Sequence, residues 1–167
     1  MRTQENQLQE LLMLPALTQI GIVVSDLEKA IDFYRERFLV GPFERVEDFQ
    51  KLGYEETYYK GEPEEFNSTF AFFQLGTMEI EVIQPIYGRS IYRDFLDGGR
   101  EGLHHLGFDV YDDFDQRLKA YTQIGIGVLM SGRGSDRAFA YLDTERVGGV
   151  IFELLHRGGP RKPTNRT

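Results

Sequence analysis

The sequence has no cysteine and no tryptophan among its 167 residues. The lack of cysteine excludes a disulfide framework, a thiolate metal site and a cysteine nucleophile. There is also no run of about 18 apolar residues, so no segment is expected to span a membrane. The N-terminal residues MRTQENQLQELLML are too polar for a secretory signal peptide. We therefore expect a cytoplasmic protein.

Positive charge is also scarce. The 19 Lys and Arg residues face 27 Asp and Glu residues, which leaves a net charge of −8. A protein that binds nucleic acid needs a basic surface, so we expect no nucleic-acid partner. The few cations in GGPRKPTNRT end the chain, and we predict a flexible tail over residues 158–167. The chain does have 41% hydrophobic residues and 18 glycines, which suit a buried core with many tight turns.

The order strand, helix and three further strands occurs twice along the chain. A helix with apolar Leu8, Leu11 and Leu12 comes first and ends at Pro15. We predict the elements of the first round at 17–24, 27–38, 43–60 (two weaker strands), 69–74 and 77–84. Those of the second round are predicted at 103–110, 112–124, 126–131, 137–142 and 149–155. The segment LTQIGIVVSD matches LHHLGFDVYD 86 positions later, and TFAFFQ and MEIEVIQ match RAFAYL and VIFELLH. These matches indicate an internal duplication.

The duplication predicts an α+β fold in which two βαβββ modules form a shared, partly open, barrel-like cleft. We assign residues 1–15 to an N-terminal helical extension and residues 16–88 to the first module. Residues 89–157 form a linking helix and the second module, and the flexible tail follows.

Side-chain alternation along the strands places four polar residues on one face. In the first strand, Ile20 and Ile22 share the face that packs on helices, while Gln19 lies on the other face. Three strands repeat this pattern, and the four polar residues are Gln19, Glu81, His105 and Glu153. Charged groups on a buried strand are costly unless they are paired or bind a metal. By the same alternation, His104 is expected on the opposite, core face as a hydrogen-bonded structural residue.

Four motifs follow one another in the sequence: DLEKAIDFY, EVIQP, GLHHLGFDV and GGVIFELL. With them, residues 17–156 resemble the vicinal oxygen chelate superfamily, which includes glyoxalase I and methylmalonyl-CoA epimerase. In that superfamily, each module supplies one metal ligand from its first strand and one from its last. The resemblance therefore implies Gln19 and His105 as first-strand ligands, with Glu81 and Glu153 as last-strand ligands. This set is similar to that of zinc-type glyoxalase I.

Such an oxygen-rich site suits Zn²⁺, Mn²⁺, Co²⁺, Ni²⁺ or Mg²⁺. The resemblance implies a lyase or an isomerase/epimerase that removes a proton next to a carbonyl and stabilises the enolate with the metal. Glu153 is the candidate base, and Glu81 is its near-symmetric counterpart. The expected partner is a small-molecule substrate, namely a 2-oxo compound, a thiohemiacetal or an acyl-CoA. A homodimer is also expected, although a single chain with its own cleft is equally compatible.

Several features leave alternatives open. Val23 stands where glutathione-using glyoxalases have an arginine, and the apolar strand 69–74 lacks the carboxylate found in epimerases. A non-catalytic small-molecule binding protein of the same fold is the main alternative. An iron dioxygenase is a weaker one, because Gln19 replaces its first histidine. The roles of four polar residues remain open at this point: Glu79, Asp109, Arg133 and Arg137.

Overall fold

The computed structural model of the protein describes residues 4–158. Its helices are α1 Gln4–Leu12, α2 Leu27–Phe38, α3 Ile91–Asp97, α4 Phe114–Gln123 and α5 Glu145–Gly148, with a 3₁₀ turn at Phe49–Leu52. Its strands are β1 Leu17–Val23, β2 Glu44–Val46, β3 Glu56–Tyr59, β4 Glu62–Pro63, β5 Asn67–Leu75, β6 Met78–Tyr87, β7 Gly102–Asp109, β8 Val128–Arg133, β9 Ala138–Leu142 and β10 Ile151–His156. The sequence pattern did not predict the short helix α5, the 3₁₀ turn or the two-residue strand β4, whose segment was expected to be an acidic loop.

The ten strands of this described region form one open sheet in the order β2-β5-β6-β1-β7-β10-β9-β8-β3-β4. Strand β1 is parallel to β6, and β7 is parallel to β10. The two first strands, β1 and β7, lie antiparallel at the centre of the sheet. The predicted α+β fold of two βαβββ modules is confirmed. The module boundaries stay predictions, and most of the predicted tail (159–167) lies outside the described residues, as do residues 1–3.

One strand predicted for the first module pairs instead with the second. Strand β2 pairs with β5, but β3 pairs with β8 and extends the far edge of the sheet. The 3₁₀ turn between β2 and β3 is attached to the second module, because the Arg137 guanidinium donates to the carbonyl of Leu52. Gly134 lies so close that a Cβ there would be 1.9 Å from the carbonyl oxygen of Gly53. Arg137 is thus an anchor for this crossover.

The two long helices cover the outer face of the sheet, as the alternation of apolar residues predicted. On α2, Leu27 and Ile31 are buried against β5 and β6, and Asp26 caps the helix by accepting from the backbone of Lys29. Helix α4 covers the matching part of the second module. Helix α1 packs on α4 of the same chain, where the Arg117 guanidinium donates to the carbonyl of Met13 at 2.7 Å. The homodimer remains a prediction.

Within residues 4–158, no helix is both long enough and apolar enough to cross a bilayer.

Candidate metal centre

The four polar residues predicted for the cleft lie on the four central strands of the sheet. Glu81 on β6 and His105 on β7 both pair in register with Gly21 of β1. One row further along, Gln19 on β1 and Glu153 on β10 both pair with Gly107 of β7. Each candidate ligand from a first strand therefore faces a glycine of the other module, and the two halves of the site are related by the duplication. This is the common face that the alternation argument predicted.

The two glycines are site residues that the sequence reading did not single out. A Cβ on Gly21 would lie 1.9 Å from Cε1 of His105, and a Cβ on Gly107 would lie 2.9 Å from Cβ of Gln19. Any larger side chain would therefore overlap a candidate ligand. The available signal was the spacing itself, because Gln19 and His105 are each followed two positions later by glycine on the same strand face.

Three of the side chains converge closely. The His105 Nε2 atom lies 3.3 Å from Oε2 of Glu81 and 3.3 Å from Oε2 of Glu153. One ligand atom from each of these residues lies within 4.8 Å of the other two, a grouping that can hold a metal ion. His105 is 0% exposed, Glu81 7% and Glu153 3%, so water does not solvate the two carboxylates.

Four buried atoms at this place have no hydrogen-bond partner among residues 4–158: Gln19 Oε1, Glu81 Oε2, His105 Nε2 and Glu153 Oε2. Buried polar atoms are normally satisfied, and leaving one unsatisfied costs about 1–3 kcal/mol. The four atoms are two carboxylate oxygens, an amide oxygen and an imidazole nitrogen, the donor types that bind divalent cations. Glu81, His105 and Glu153 therefore fit a divalent metal ion in both chemistry and placement, and the unpartnered amide oxygen of Gln19 fits it in chemistry.

A one-residue shift in strand pairing precedes each first-strand residue of the site. Thr18 has no register partner before Gln19, and His104 has none before His105, so each is the extra residue of a β-bulge. Alternation predicted that His104 faces away from the cleft, and that prediction is wrong. The bulge turns its ring toward Tyr92 and Phe95, where its Nδ1 atom lies 3.0 Å from Nδ1 of His105. The predicted hydrogen bond exists, but its partner is His105.

The charged groups of the site shift one another's pKa values. Burial lowers the pKa of His105, but the Glu153 and Glu81 carboxylates outweigh burial and raise it to about 9. Burial raises the pKa of Glu81. The pKa of His104 falls to about 2, because of burial first and of the charge on His105 second. His104 is thus a neutral acceptor for the Nδ1–H of His105, which leaves Nε2 of His105 directed at the carboxylates.

A layer of charged residues lies behind Gln19. The Gln19 amide donates from Nε2 to Oε1 of Glu79 at 3.0 Å. The same Glu79 oxygen accepts from Nη1 of Arg157 at 2.7 Å, and Nε of Arg157 lies 3.1 Å from Oδ1 of the buried Asp109. Glu79 therefore contacts both a predicted ligand and Arg157. Arg157 was missed, although it follows Glu153 by four positions and shares its strand face.

Of the two arginines whose roles the sequence left open, neither side chain meets the predicted ligands. Arg133 pairs with Asp115 on the surface, and Arg137 anchors the crossover described above.

Aromatic residues fill the remainder of the cleft. The ring centre of Tyr141 lies 5.0 Å from that of His105, and its hydroxyl lies 2.6 Å from the hydroxyl of Tyr92. Phe49 of the 3₁₀ turn and Phe139 belong to the same buried cluster. Phe139 and Tyr141 therefore pack in the core. Their bulk keeps water from the charged group.

Comparisons with known proteins identify the family and the fold. The model of the "Glyoxalase/Bleomycin resistance protein/Dioxygenase superfamily" matches residues 18–141. An uncharacterized protein of Bacillus subtilis (strain 168), YqjC, is 27% identical over 146 residues, which are 86% of this chain and 93% of that protein.

Two solved structures illustrate the similarity of fold. A hypothetical protein from Bacillus halodurans C-125 superposes with a TM-score of 0.64 at 20% identity, covering 90% of this chain and 98% of that one. A Streptomyces coelicolor methylmalonyl-CoA epimerase in complex with 2-nitronate-propionyl-CoA gives a TM-score of 0.65 at 21% identity, covering 90% and 100%. At these identities, the structures show a shared fold.

Proposed function

The chain belongs to the glyoxalase/bleomycin resistance protein/dioxygenase superfamily, and from that premise we propose that it is a divalent-metal-dependent isomerase or epimerase. In this proposal Gln19, Glu81, His105 and Glu153 hold the metal. The reaction moves a proton at a carbon next to a carbonyl. A lyase reaction of the glyoxalase type uses the same proton transfer and is the nearest variant.

One observation carries the proposal, namely the four buried atoms without hydrogen-bond partners. Two carboxylates buried together repel each other and lose their hydration, so they need a compensating charge. A divalent cation cancels the charge of Glu81 and Glu153, while Gln19 and His105 complete the ligand set as neutral donors. Without a metal, the two carboxylates and a protonated His105 would together leave one negative charge in the core.

The two carboxylates also suit a proton transfer. When bound, the metal supplies a Lewis acid that polarises the substrate carbonyl. A carboxylate oxygen of Glu153 that does not hold the metal takes the proton from the adjacent carbon, and the electron pair of the broken C–H bond delocalises to the carbonyl oxygen. A proton carried by the Glu81 carboxyl group is then given to the opposite face of the same carbon, which yields the epimer and leaves Glu153 protonated and Glu81 ionised. Glu81 and Glu153 come from different modules and both lie 3.3 Å from His105 Nε2, so an acid and a base can act from two sides.

An acyl-CoA is the substrate class that we favour. Methylmalonyl-CoA epimerases share the fold, and one of their structures is in complex with methylmalonyl-CoA. The thiohemiacetal of a 2-oxo aldehyde is the competing class.

The depth of the site favours a second candidate, a non-catalytic binding protein. A catalytic metal needs an open position for substrate. Here no predicted ligand is more than 7% exposed, and aromatic side chains fill the cleft. In this alternative the metal site stabilises the fold, and the small molecule binds without reaction.

Deuterium incorporation separates the two candidates. Metal-loaded protein is incubated in D₂O with methylmalonyl-CoA or with a thiohemiacetal, and mass spectrometry follows exchange at the carbon next to the carbonyl. Wild-type protein is expected to catalyse exchange on one of them, and Glu153→Gln is expected to lose it. Glu36→Gln, the same change on the exposed side of α2, is the matched control. Metal binding without exchange on either compound would support the non-catalytic candidate.

A further inference from the structure

We propose that Glu79 and Arg157 are positioning residues that fix the orientation of the Gln19 amide, so that its oxygen and not its nitrogen faces the metal. This inference rests on the proposed metal site and adds residues to it that are not ligands. The juxtaposition that carries it is a chain of contacts from Gln19 through Glu79 and Arg157 to Asp109.

A glutamine ligand has an ambiguity that carboxylate and imidazole ligands lack. The two ends of a primary amide have almost the same shape, but only the oxygen has lone pairs for a cation. A rotation of about 180° would direct N–H groups at the metal, removing one ligand and adding repulsion. The Gln19 side chain is 3% exposed, so the protein, and not water, must select the orientation.

The contacts of the Gln19 amide select the orientation in which its oxygen faces the proposed metal. The Gln19 Nε2 atom donates to Oε1 of Glu79 at 3.0 Å. The Arg157 guanidinium donates to this same oxygen at 2.7 Å, so the atom that faces the Gln19 amide is an acceptor already engaged by a second donor. The opposite end of the amide, Oε1, has no hydrogen-bond partner within the described part of the chain and lies above Gly107.

The support for Glu79 extends across the central strands. Arg157, directly after β10, is held in turn by Asp109 at the end of β7, with Nε and Oδ1 3.1 Å apart. Asp109 is 3% exposed, and Arg157 retains 28% side-chain exposure. The amide on β1 is therefore oriented by groups from β6, β7 and the end of β10. This arrangement is stiffer than a contact between neighbouring side chains of one strand.

The internal duplication supplies an independent comparison. Glu79 is the register partner of Gln19 on the parallel neighbouring strand. At the matching place in the second module, the register partner of His105 is Ile151. A carboxylate, Glu79, is thus present beside Gln19, whose amide can face either way. None stands at the matching position beside His105, whose ring is oriented by His104. A surface role for Glu79 would not explain this difference.

The test measures Co²⁺ binding to metal-stripped, full-length protein by calorimetry and by the visible absorption spectrum of the bound ion. Glu79→Gln and Arg157→Met are each expected to weaken Co²⁺ binding by about 10–100-fold and to change the spectrum. Glu64→Gln breaks the ion pair with Arg89 away from the cleft and serves as the matched control. It is expected to bind as wild type does.

A double variant that exchanges the side chains at positions 19 and 79 tests whether the weaker binding of Glu79→Gln is only a loss of folding. In Gln19→Glu/Glu79→Gln, the new amide at 79 can donate to the new carboxylate at 19, which presents oxygen to the metal whichever way it turns. We expect this double variant to recover most of the affinity lost in Glu79→Gln. The inference is overturned if Glu79→Gln and Arg157→Met match wild type in affinity and spectrum while Glu81→Ala abolishes binding. If the wild-type protein binds no Co²⁺, both the proposed function and this inference are refuted.

Discussion

Replacing Gly21 by alanine is expected to abolish metal binding while leaving the protein folded. The added Cβ would lie 1.9 Å from Cε1, 2.2 Å from Nε2 and 2.3 Å from Nδ1 of His105. Ordinary contact begins at 3.4 Å, so the ring must move by about 1.5 Å (3.4 minus 1.9). His105 is fully buried, bonded to His104 and packed on Tyr141, so the ring has no free space nearby.

This displacement is large compared with what a metal site tolerates. Ligand distances must hold to within about 0.2 Å, so a shift several times larger removes His105 as a ligand. We expect at least a roughly 100-fold loss of Co²⁺ affinity, together with an overpacking cost of about 1–3 kcal/mol in the free energy of unfolding. Calorimetry with Co²⁺ and urea denaturation of the metal-free protein measure the two quantities.

Gly127→Ala is the matched control, because the nearest atom to its new Cβ would be Asp143 Cβ at 3.9 Å. It should leave Co²⁺ affinity and stability close to wild type. Unchanged affinity in Gly21→Ala, with the wild-type spectrum of bound Co²⁺, would show that the His105 ring does not lie over Gly21 and would refute the described geometry.

Three further predictions concern charge and the crossover. The pKa of His105 in the metal-free protein is about 9, so metal binding at pH 7 should release close to one proton. The release is measured as a binding enthalpy that depends on the buffer. The apparent metal affinity should also rise about tenfold per pH unit from pH 7 to pH 9. A pH-independent affinity would contradict this. The pKa of His105 is raised above its ordinary 6.5, so the stability that His105 contributes is complete below pH 6.5 and is lost as the pH rises through 9. The urea midpoint of the metal-free protein should therefore fall over that range. In His105→Gln, the urea midpoint should depend less on pH. Arg137→Met should speed hydrogen exchange in residues 49–53, where the Leu52 carbonyl loses its donor, without changing Co²⁺ affinity; equal exchange rates would show that Arg137 does not anchor the turn.

The duplication and the period-two alternation were sufficient to predict the two modules and the face shared by Gln19, Glu81, His105 and Glu153. Both signals are local, because a strand must send neighbouring side chains to opposite faces wherever it lies. The spacing of Gly21 and Gly107 was equally visible, but its meaning depends on the partner strand. A glycine makes room for a particular ring only after the register of β1 against β7 is known.

The crossover of β3 could not be predicted from its own residues. Its sequence is compatible with pairing at any exposed sheet edge, and the choice of β8 depends on Arg137 and Gly134, which lie some 80 positions away. His104 shows a similar limit. Alternation holds only while pairing is regular, and a bulge of one residue turned the side chain to the other side.

The sequence by itself determined the α+β class, the duplicated modules and the common strand face of four polar residues, because these follow from periodicity within single strands. That the four are metal ligands was implied by the family resemblance. The tertiary structure alone decided which groups support those ligands: the bulge that brings His104 to His105, and the contacts of Glu79, Arg157 and Asp109 behind Gln19. The physical reason is that hydrogen bonds and ion pairs between side chains depend on distances of a few tenths of an ångström between strands. Sequence spacing along one strand carries no information about those distances.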